Sequence, residues 1–347
     1  EPCNPEWTSA NLQHYEFLEG YLENRITNFA FSHNTLQRYT HFELVFPNEN
    51  MRPIISGNYV LQVYEDNDPQ KIVITRRFMV LDNILPISAV VTRTPIVEDQ
   101  DRKQKINFTL NIPNNYSIAD PFTDLKVMVM QNDRWDNMKY NSKPLFIRNN
   151  ALIYEHNDAN VFDAGNEFRK FDIRSLRFQS ERIARIKKDS VNTVSLIPDM
   201  PRTFDRYVSF IDLNGKFYPR IQEYNDPNLE ADYAWVDFTL PYSPVFNTGN
   251  IFISGKFTDW SFIDTYKMKY NYTTKAYQAS IYMKQGVYDY QYDYLENTAQ
   301  EPDFAIMEGC RFETENTYTI YAYHKPISAK YFHLVGFTKL NSAGLDK

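Results

Sequence analysis

Ile54 to Val80, IISGNYVLQVYEDNDPQKIVITRRFMV, decides how the chain folds. Side chains along an extended strand point alternately to its two faces. Between Asn58 and Glu65, Tyr59, Leu61 and Val63 share one face, and Val60, Gln62 and Tyr64 share the other. The return run repeats the pattern, with Ile72, Ile74, Arg76, Phe78 and Val80 opposite Val73, Thr75, Arg77 and Met79. Between the runs, Asp66 to Lys71 (DNDPQK) gathers turn formers around a proline that would interrupt a strand. The stretch is predicted to be a β-hairpin.

The same alternation recurs along the chain. Its 347 residues are enough for two or three domains with their own cores. Aromatic residues make up 16%, with 26 Tyr and 25 Phe but only 10 Gly, a composition that folds and is neither low-complexity nor disordered. No long segment combines a helical apolar period with caps. The predicted class is therefore all-β, with two to three β-sandwich-like domains, the last immunoglobulin-like. No run of 18 apolar residues occurs. The alternating strands also lack the lipid-facing regularity of an outer-membrane barrel, so no direct membrane insertion is expected.

Breaks near Asp82–Pro86 and at Pro241 to Gly249 (PYSPVFNTG) divide the chain into residues 1–84, 85–241 and 242–347. Strands are expected in the middle part at Ile106–Ile112, Leu125–Gln131, Val191–Ile197, Tyr207–Leu213 and Ala234–Leu240. In the last they are expected at Asn250–Ser254, Tyr277–Met283, Val287–Tyr294, Tyr318–His324 and Tyr331–Phe337. Within Val287–Tyr294, Tyr288, Tyr290, Tyr292 and Tyr294 line one face. Such a stripe is either a docking surface or a set of rings between two sheets, and the second arrangement is the commoner.

Catalytic signatures are missing. The six histidines lack metal-binding spacing, and neither a phosphate-binding glycine loop nor a nucleophile elbow occurs. The acid pair Asp66 and Asp68 sits in one turn, whereas acid–base chemistry needs carboxyls in different environments across a cleft. In the loop Glu155 to Glu167, Asp158, Asn160 and Asp163 offer oxygen ligands without the order of a calcium-binding hand. Three Asn-x-Ser/Thr triplets, at Asn107, Asn115 and Asn271, decide nothing in an Asn-rich chain. No enzyme activity and no cofactor are expected. Cys3 and Cys310, at opposite ends, fit two buried thiols or one long-range bridge.

One charge feature exceeds background. From Arg169 to Lys188 eight basic residues face two acids, about +6 within a chain of net charge −7, so the remainder carries about −13. Arg174, Arg177, Arg182, Arg185, Lys187 and Lys188 are the candidate partner-binding residues. The competing reading is a strand edge kept from aggregation by charge. Nucleic acid is not an expected partner, since the acidic remainder repels phosphate.

The hairpin wording SGNYVLQVYEDND followed by TRRFMV resembles the plug proteins of the type IX secretion system. Cys3-Asn4-Pro5-Glu6-Trp7, Phe17-Leu18-Glu19-Gly20-Tyr21, Phe31-Ser32-His33-Asn34-Thr35 and Phe46-Pro47-Asn48 are similar to that family upstream. Lys284-Gln285-Gly286-Val287-Tyr288-Asp289-Tyr290-Gln291-Tyr292 and Glu313-Thr314-Glu315-Asn316-Thr317-Tyr318 are similar downstream. The resemblance covers both ends well and Asp82 to Pro241 mainly by continuity. It implies that residues 1–84 form the family's N-terminal β-domain, incomplete at its start. It also implies a non-enzymatic periplasmic protein at the inner face of the outer membrane. Its expected partner is the large translocon β-barrel, whose periplasmic end it seals between export events. A second reading is a carbohydrate-binding or cell-surface adhesion module. Gly255-Lys256-Phe257-Thr258-Asp259-Trp260 resembles the wording of glycogen-binding immunoglobulin-like domains, in which Trp260 would stack on a sugar, although that position is more typical of a core aromatic.

Overall fold

A computed structural model describes residues 1–156 and 158–343. The last four residues expected in the third domain lie outside the described residues, as does position 157 in the candidate calcium loop. The protein is almost all β, 42% strand and 5% helix, in several sheets that form no closed barrel among the described residues. The hairpin forms as predicted. Strands Gly57–Tyr64 and Ile72–Val80 pair antiparallel with Tyr59 opposite Phe78, and these two rings stack at 5.1 Å. Asp66 and Asn67 take positive φ in the turn, which short polar side chains tolerate.

Behind the N-terminal unit stand two β-sandwiches, one inserted into the other. The first packs the sheet of Lys139–Ser142, Leu125–Gln131, Thr317–His324 and His333–Asn341 against a sheet built on Lys103–Asn111. Val127, Val129, Ile320 and Ala322 meet Ile106, Phe108 and Leu110 in the core between them. The other face of the same sheet, with Met128, Met130, Tyr321 and Tyr323, is covered by Met79, Trp135 and Phe332. Burial on both faces explains why Leu125–Gln131 reads as a nearly continuous apolar run.

The second sandwich comprises the chain between Val161–Asp163 and Thr317–His324. Strand Gly286–Glu296, flanked by Arg169–Asp172, Phe217–Pro219 and Gly249–Ser254, packs on the sheet Ile183–Lys187, Asn192–Leu196, Tyr233–Pro241, Ala276–Lys284, Lys269–Asn271. Strand pairing therefore does not respect a division at residue 241. Residues 317–341 hydrogen-bond to Leu125–Gln131, and Arg169–Asp172 to Gly286–Glu296, so 242–347 is not one sandwich. Contiguity in sequence suggested three consecutive domains, but long-range pairing decides membership. The expected strand Tyr207–Leu213 is irregular, and its amide Leu213 N–H donates to the Asp289 carboxylate instead of a neighbouring strand.

The four tyrosines of Gly286–Glu296 lie inside the second sandwich. The Tyr290 and Tyr292 hydroxyls both donate to Asp199 Oδ2 at 2.7 Å. Asp199 Oδ1 accepts from Arg169 (3.0 Å) and Arg182 (2.5 Å), and Arg169 Nε also donates to Glu308 at 2.9 Å. Arg202 and the amide of Tyr292 complete the partners of Glu308. Burial opposes the Glu308 charge, but Arg169 and Arg202 outweigh it and hold the carboxyl below its usual pKa.

Asp199→Ala would leave the Tyr290 and Tyr292 hydroxyls without their acceptor and take one carboxylate partner from each of Arg169 and Arg182. We predict a loss of about 3–5 kcal/mol in the second sandwich, read by chemical denaturation. Glu19→Gln, which breaks the exposed Arg52–Glu19 pair, changes stability by about 1 kcal/mol or less.

Candidate functional site

The basic window proves heterogeneous. Arg169 is buried in the ionic network, and Arg182 joins it through Asp199. Arg174 folds back on Asp172 at 2.6 Å, Arg177 donates to the Tyr224 hydroxyl at 3.1 Å, and Lys187 lies 3.4 Å from Asp189. Arg185 and Lys188 stand exposed, and no side chain among the described residues pairs with them. Arg185 and Lys187 sit on Ile183–Lys187, an edge strand of its sheet, the position at which charge discourages edge-to-edge pairing. The structure thus spreads the six candidates over an edge and a buried network and does not gather them into one patch.

Trp260 is only 4% exposed. The Arg134 guanidinium from the first sandwich lies 4.1 Å over its ring, Phe168 meets its edge, and a Cβ on Gly215 would come within 2.7 Å of it. It fills the seam between the sandwiches and presents no face to a sugar. In the candidate calcium loop, Asn160 Oδ1 accepts the Ser142 hydroxyl at 2.5 Å. No group of three or more His, Cys, Asp or Glu side chains placed to hold a metal occurs among the described residues. Cys3 and Cys310 are separate buried thiols, and burial pushes Cys310 up to about 11.

A different surface stands out in the N-terminal unit. Across residues 22–50 no side chain is fully buried, yet the segment forms the hairpin Asn28–Phe31 and Thr40–Glu43. Phe29 pairs opposite Phe42, with ring centroids 5.8 Å apart, and Phe31 lies 5.8 Å from Phe29. All three rings are exposed, Phe31 by 71%. Leu22, Leu44 and Val45 are further exposed apolar residues of the same segment.

Polar contacts at the tip fix the arm to the second sandwich. The amides of Leu36 and Gln37 donate to the Asp232 carboxylate at 2.8 and 3.0 Å. Asn34 donates to Glu230, and Tyr39 donates to the Ala231 carbonyl at 3.0 Å under the Lys284 ammonium. The base of the unit is held on the first sandwich, where Arg77 lies 4.9 Å over Trp7 and 5.1 Å over Trp135. Lys126–Glu6 and Lys330–Glu16 pairs and a Tyr323 hydroxyl bond to Asn58 flank that cation–π stack. The unit therefore bridges both sandwiches while presenting aromatic rings to solvent.

Residues 1–82, the unit that carries this arm, match the family model described as the type 9 secretion system plug protein first domain. The chain belongs to the type IX secretion plug family. A crystal structure of a hypothetical protein from Parabacteroides merdae is similar over 98% of this chain and 86% of that one, with 33% identity and a TM-score of 0.94. That likeness extends past the matched first domain into both sandwiches. No curated protein matches the sequence.

Sequence reasoning did not single out the arm. The Phe29-Ala30-Phe31 alternation was present, but the residues joining its strands, Ser32 to Tyr39, lack a tight-turn signature. The Phe31–Thr35 wording contributed to the family resemblance without revealing that its rings face outward. Because Arg185 and Lys188 are solvated, Arg185→Glu with Lys188→Glu is predicted to change stability by about 0.5 kcal/mol or less. Arg182→Glu, which sets a carboxylate against buried Asp199, should destabilise several times more, and urea denaturation of the two variants separates these outcomes.

Proposed function

We propose that the protein acts without catalysis as the periplasmic plug of the type IX secretion translocon, binding the periplasmic end of the outer-membrane barrel and sealing it between export events. The observation that carries this reading is the coincidence of two features in residues 1–82: the match to the plug family's first domain, and an arm of exposed aromatic rings. Isolated surface apolar residues are ordinary, but rings clustered on a paired hairpin suit a partner interface. A stopper must also be wide and must hold its shape. Two interlocked sandwiches bridged by the N-terminal unit provide such a body, and it needs no chemistry to work. Reversible sealing calls for an interface that releases, which favours a few aromatic anchors within a largely polar surface. The exposed cations Arg185 and Lys188 would add steering toward acidic groups on the partner, an effect that weakens with salt.

The test is capture of the barrel from detergent-solubilised outer membranes by the tagged protein. Wild type should retain a very large β-barrel protein. A Phe29→Ser, Phe31→Ser, Phe42→Ser variant should lose at least tenfold of that capture while keeping its unfolding midpoint, because its rings are not part of a core. Capture unaffected by the triple substitution overturns the assignment of the arm, and absence of any barrel from wild-type captures overturns the plug reading.

A further inference from the structure

Between Asn192–Leu196 and Phe217–Pro219 the chain crosses the second sandwich without forming a strand or helix. Its first turn is fastened by Arg202 on Glu308, by the Thr203 hydroxyl on the Ile306 carbonyl, and by Arg311 on the carbonyls of Thr203 and Asp205. Residues 206–214 are held differently. Glu167 accepts the Tyr207 hydroxyl at 2.5 Å and the Glu315 amide at 3.2 Å. Asp212 reaches back to the Phe168 amide at 2.6 Å and accepts the Asn214 amide at 2.8 Å. Asp289, fully buried on Gly286–Glu296, accepts the amides of Leu213 and Gly215 on Oδ2. Its Oδ1 is buried and has no hydrogen-bond partner.

The charges around these ties are unbalanced. Asp212 faces Asp289, Glu315 faces both Glu167 and Asp212, and Lys170 is the cation acting on Asp212 and Asp289. Arg202, from the strap's first turn, donates to the Glu167 carbonyl, but its guanidinium charge is engaged by Glu308. Lys216, at the strap's far end, is paired with Asp133 of the first sandwich at 2.9 Å. Four acids thus gather beneath a segment that has no strand partner among the described residues; Lys170 offsets Asp212 and Asp289, Arg206 is exposed on the segment itself, and the Arg311 guanidinium is bonded to carbonyls. Apolar residues stand exposed along that segment among Asp205, Arg206 and Ser209, with Phe204 96% and Ile211 91% exposed.

We propose that residues 206–214 form a proton-gated strap, attached while Glu167 and Asp289 hold protons and released to solvent as both ionise. A protonated Asp289 removes the charge from its unpartnered oxygen and still accepts both amides through the other. Protonated Glu167 likewise keeps an acceptor for Tyr207 and relieves repulsion from Asp212 and Glu315. Burial, ahead of every other cause, pushes both carboxyls up to about 7 in the attached state, and it raises Asp212 as well. A carboxyl raised in this way favours attachment at low pH, and that contribution is lost as the pH rises through about 7. Once released, each group returns to an ordinary value of about 4, so opening becomes about tenfold more favourable per group between pH 6 and pH 8.

Hydrogen–deuterium exchange, corrected for the intrinsic pH dependence of amide exchange, reads this directly. In wild type the opening constant of a peptide spanning 206–214 should rise about a hundredfold from pH 6 to pH 8, while the core strand Gly286–Glu296 stays protected. Glu167→Gln and Asp289→Asn keep the acceptors and cannot ionise, so each should remove about tenfold of that rise and the double variant should abolish it. If Asp289→Asn fails to fold, Glu167→Gln alone must still remove its tenfold share. A wild-type opening constant that is the same at both pH values, or a full pH response in the Glu167→Gln variant, overturns the proposal.

Discussion

Arg169 and Glu308 are 139 residues apart in sequence and form a buried ion pair at the entry and exit of the inserted sandwich. An insertion is compatible with its host only when its two ends emerge side by side. Here the pair closes that gap, and Asn166, Gly165, Arg311 and Thr314 cross-link the two connecting segments immediately beyond it. Removing water from such charges is costly, and the cost is offset only because every charged atom finds partners: Arg202 and a backbone amide on Glu308, Arg182 and two tyrosine hydroxyls on Asp199. The tyrosine stripe of Gly286–Glu296 is part of this arrangement. Its rings fill the core while the Tyr290 and Tyr292 hydroxyls satisfy the acid, and this dual use suits tyrosine better than phenylalanine.

The N-terminal unit depends on the frame that this staple creates. It reaches the first sandwich through Arg77 between Trp7 and Trp135 and the second through Asp232, Glu230 and Ala231. Were the sandwiches free to turn, one of these contacts would break. The exposed arm is therefore held in one place by contacts at its base and tip, while the rings along its length stay in solvent. An interaction protein gains from that arrangement, because anchors already fixed in position lose little entropy when a partner docks.

Much of the local structure was legible in the sequence. The hairpin at Gly57–Tyr64 and Ile72–Val80, the strand Leu125–Gln131 and the tyrosine strand Gly286–Glu296 each announce themselves by alternation, a local property. The domain plan was not legible, because Thr317–His324 joins Leu125–Gln131 across nearly two hundred residues and no local pattern carries that pairing. Tyr207–Leu213 shows the converse failure, with strand-like alternation in a segment whose amides and side chains are claimed by carboxylates. The basic window was visible as charge, but sequence cannot show that Arg169 and Arg182 turn inward while Arg185 and Lys188 stay in solvent. Exposure of Phe29, Phe31 and Phe42 was hidden for the same reason, since an outward aromatic and a core aromatic alternate identically.

The central claim is that the arm of the N-terminal unit is the face turned to the translocon barrel. Site-specific photo-crosslinking in intact cells tests it most directly, with a benzophenone side chain at Phe31 compared with one at Tyr272 on the far end of the second sandwich. The account predicts a crosslink from position 31 to a very large outer-membrane β-barrel protein and none from position 272. Crosslinks to the barrel from position 272 with none from position 31 would contradict it.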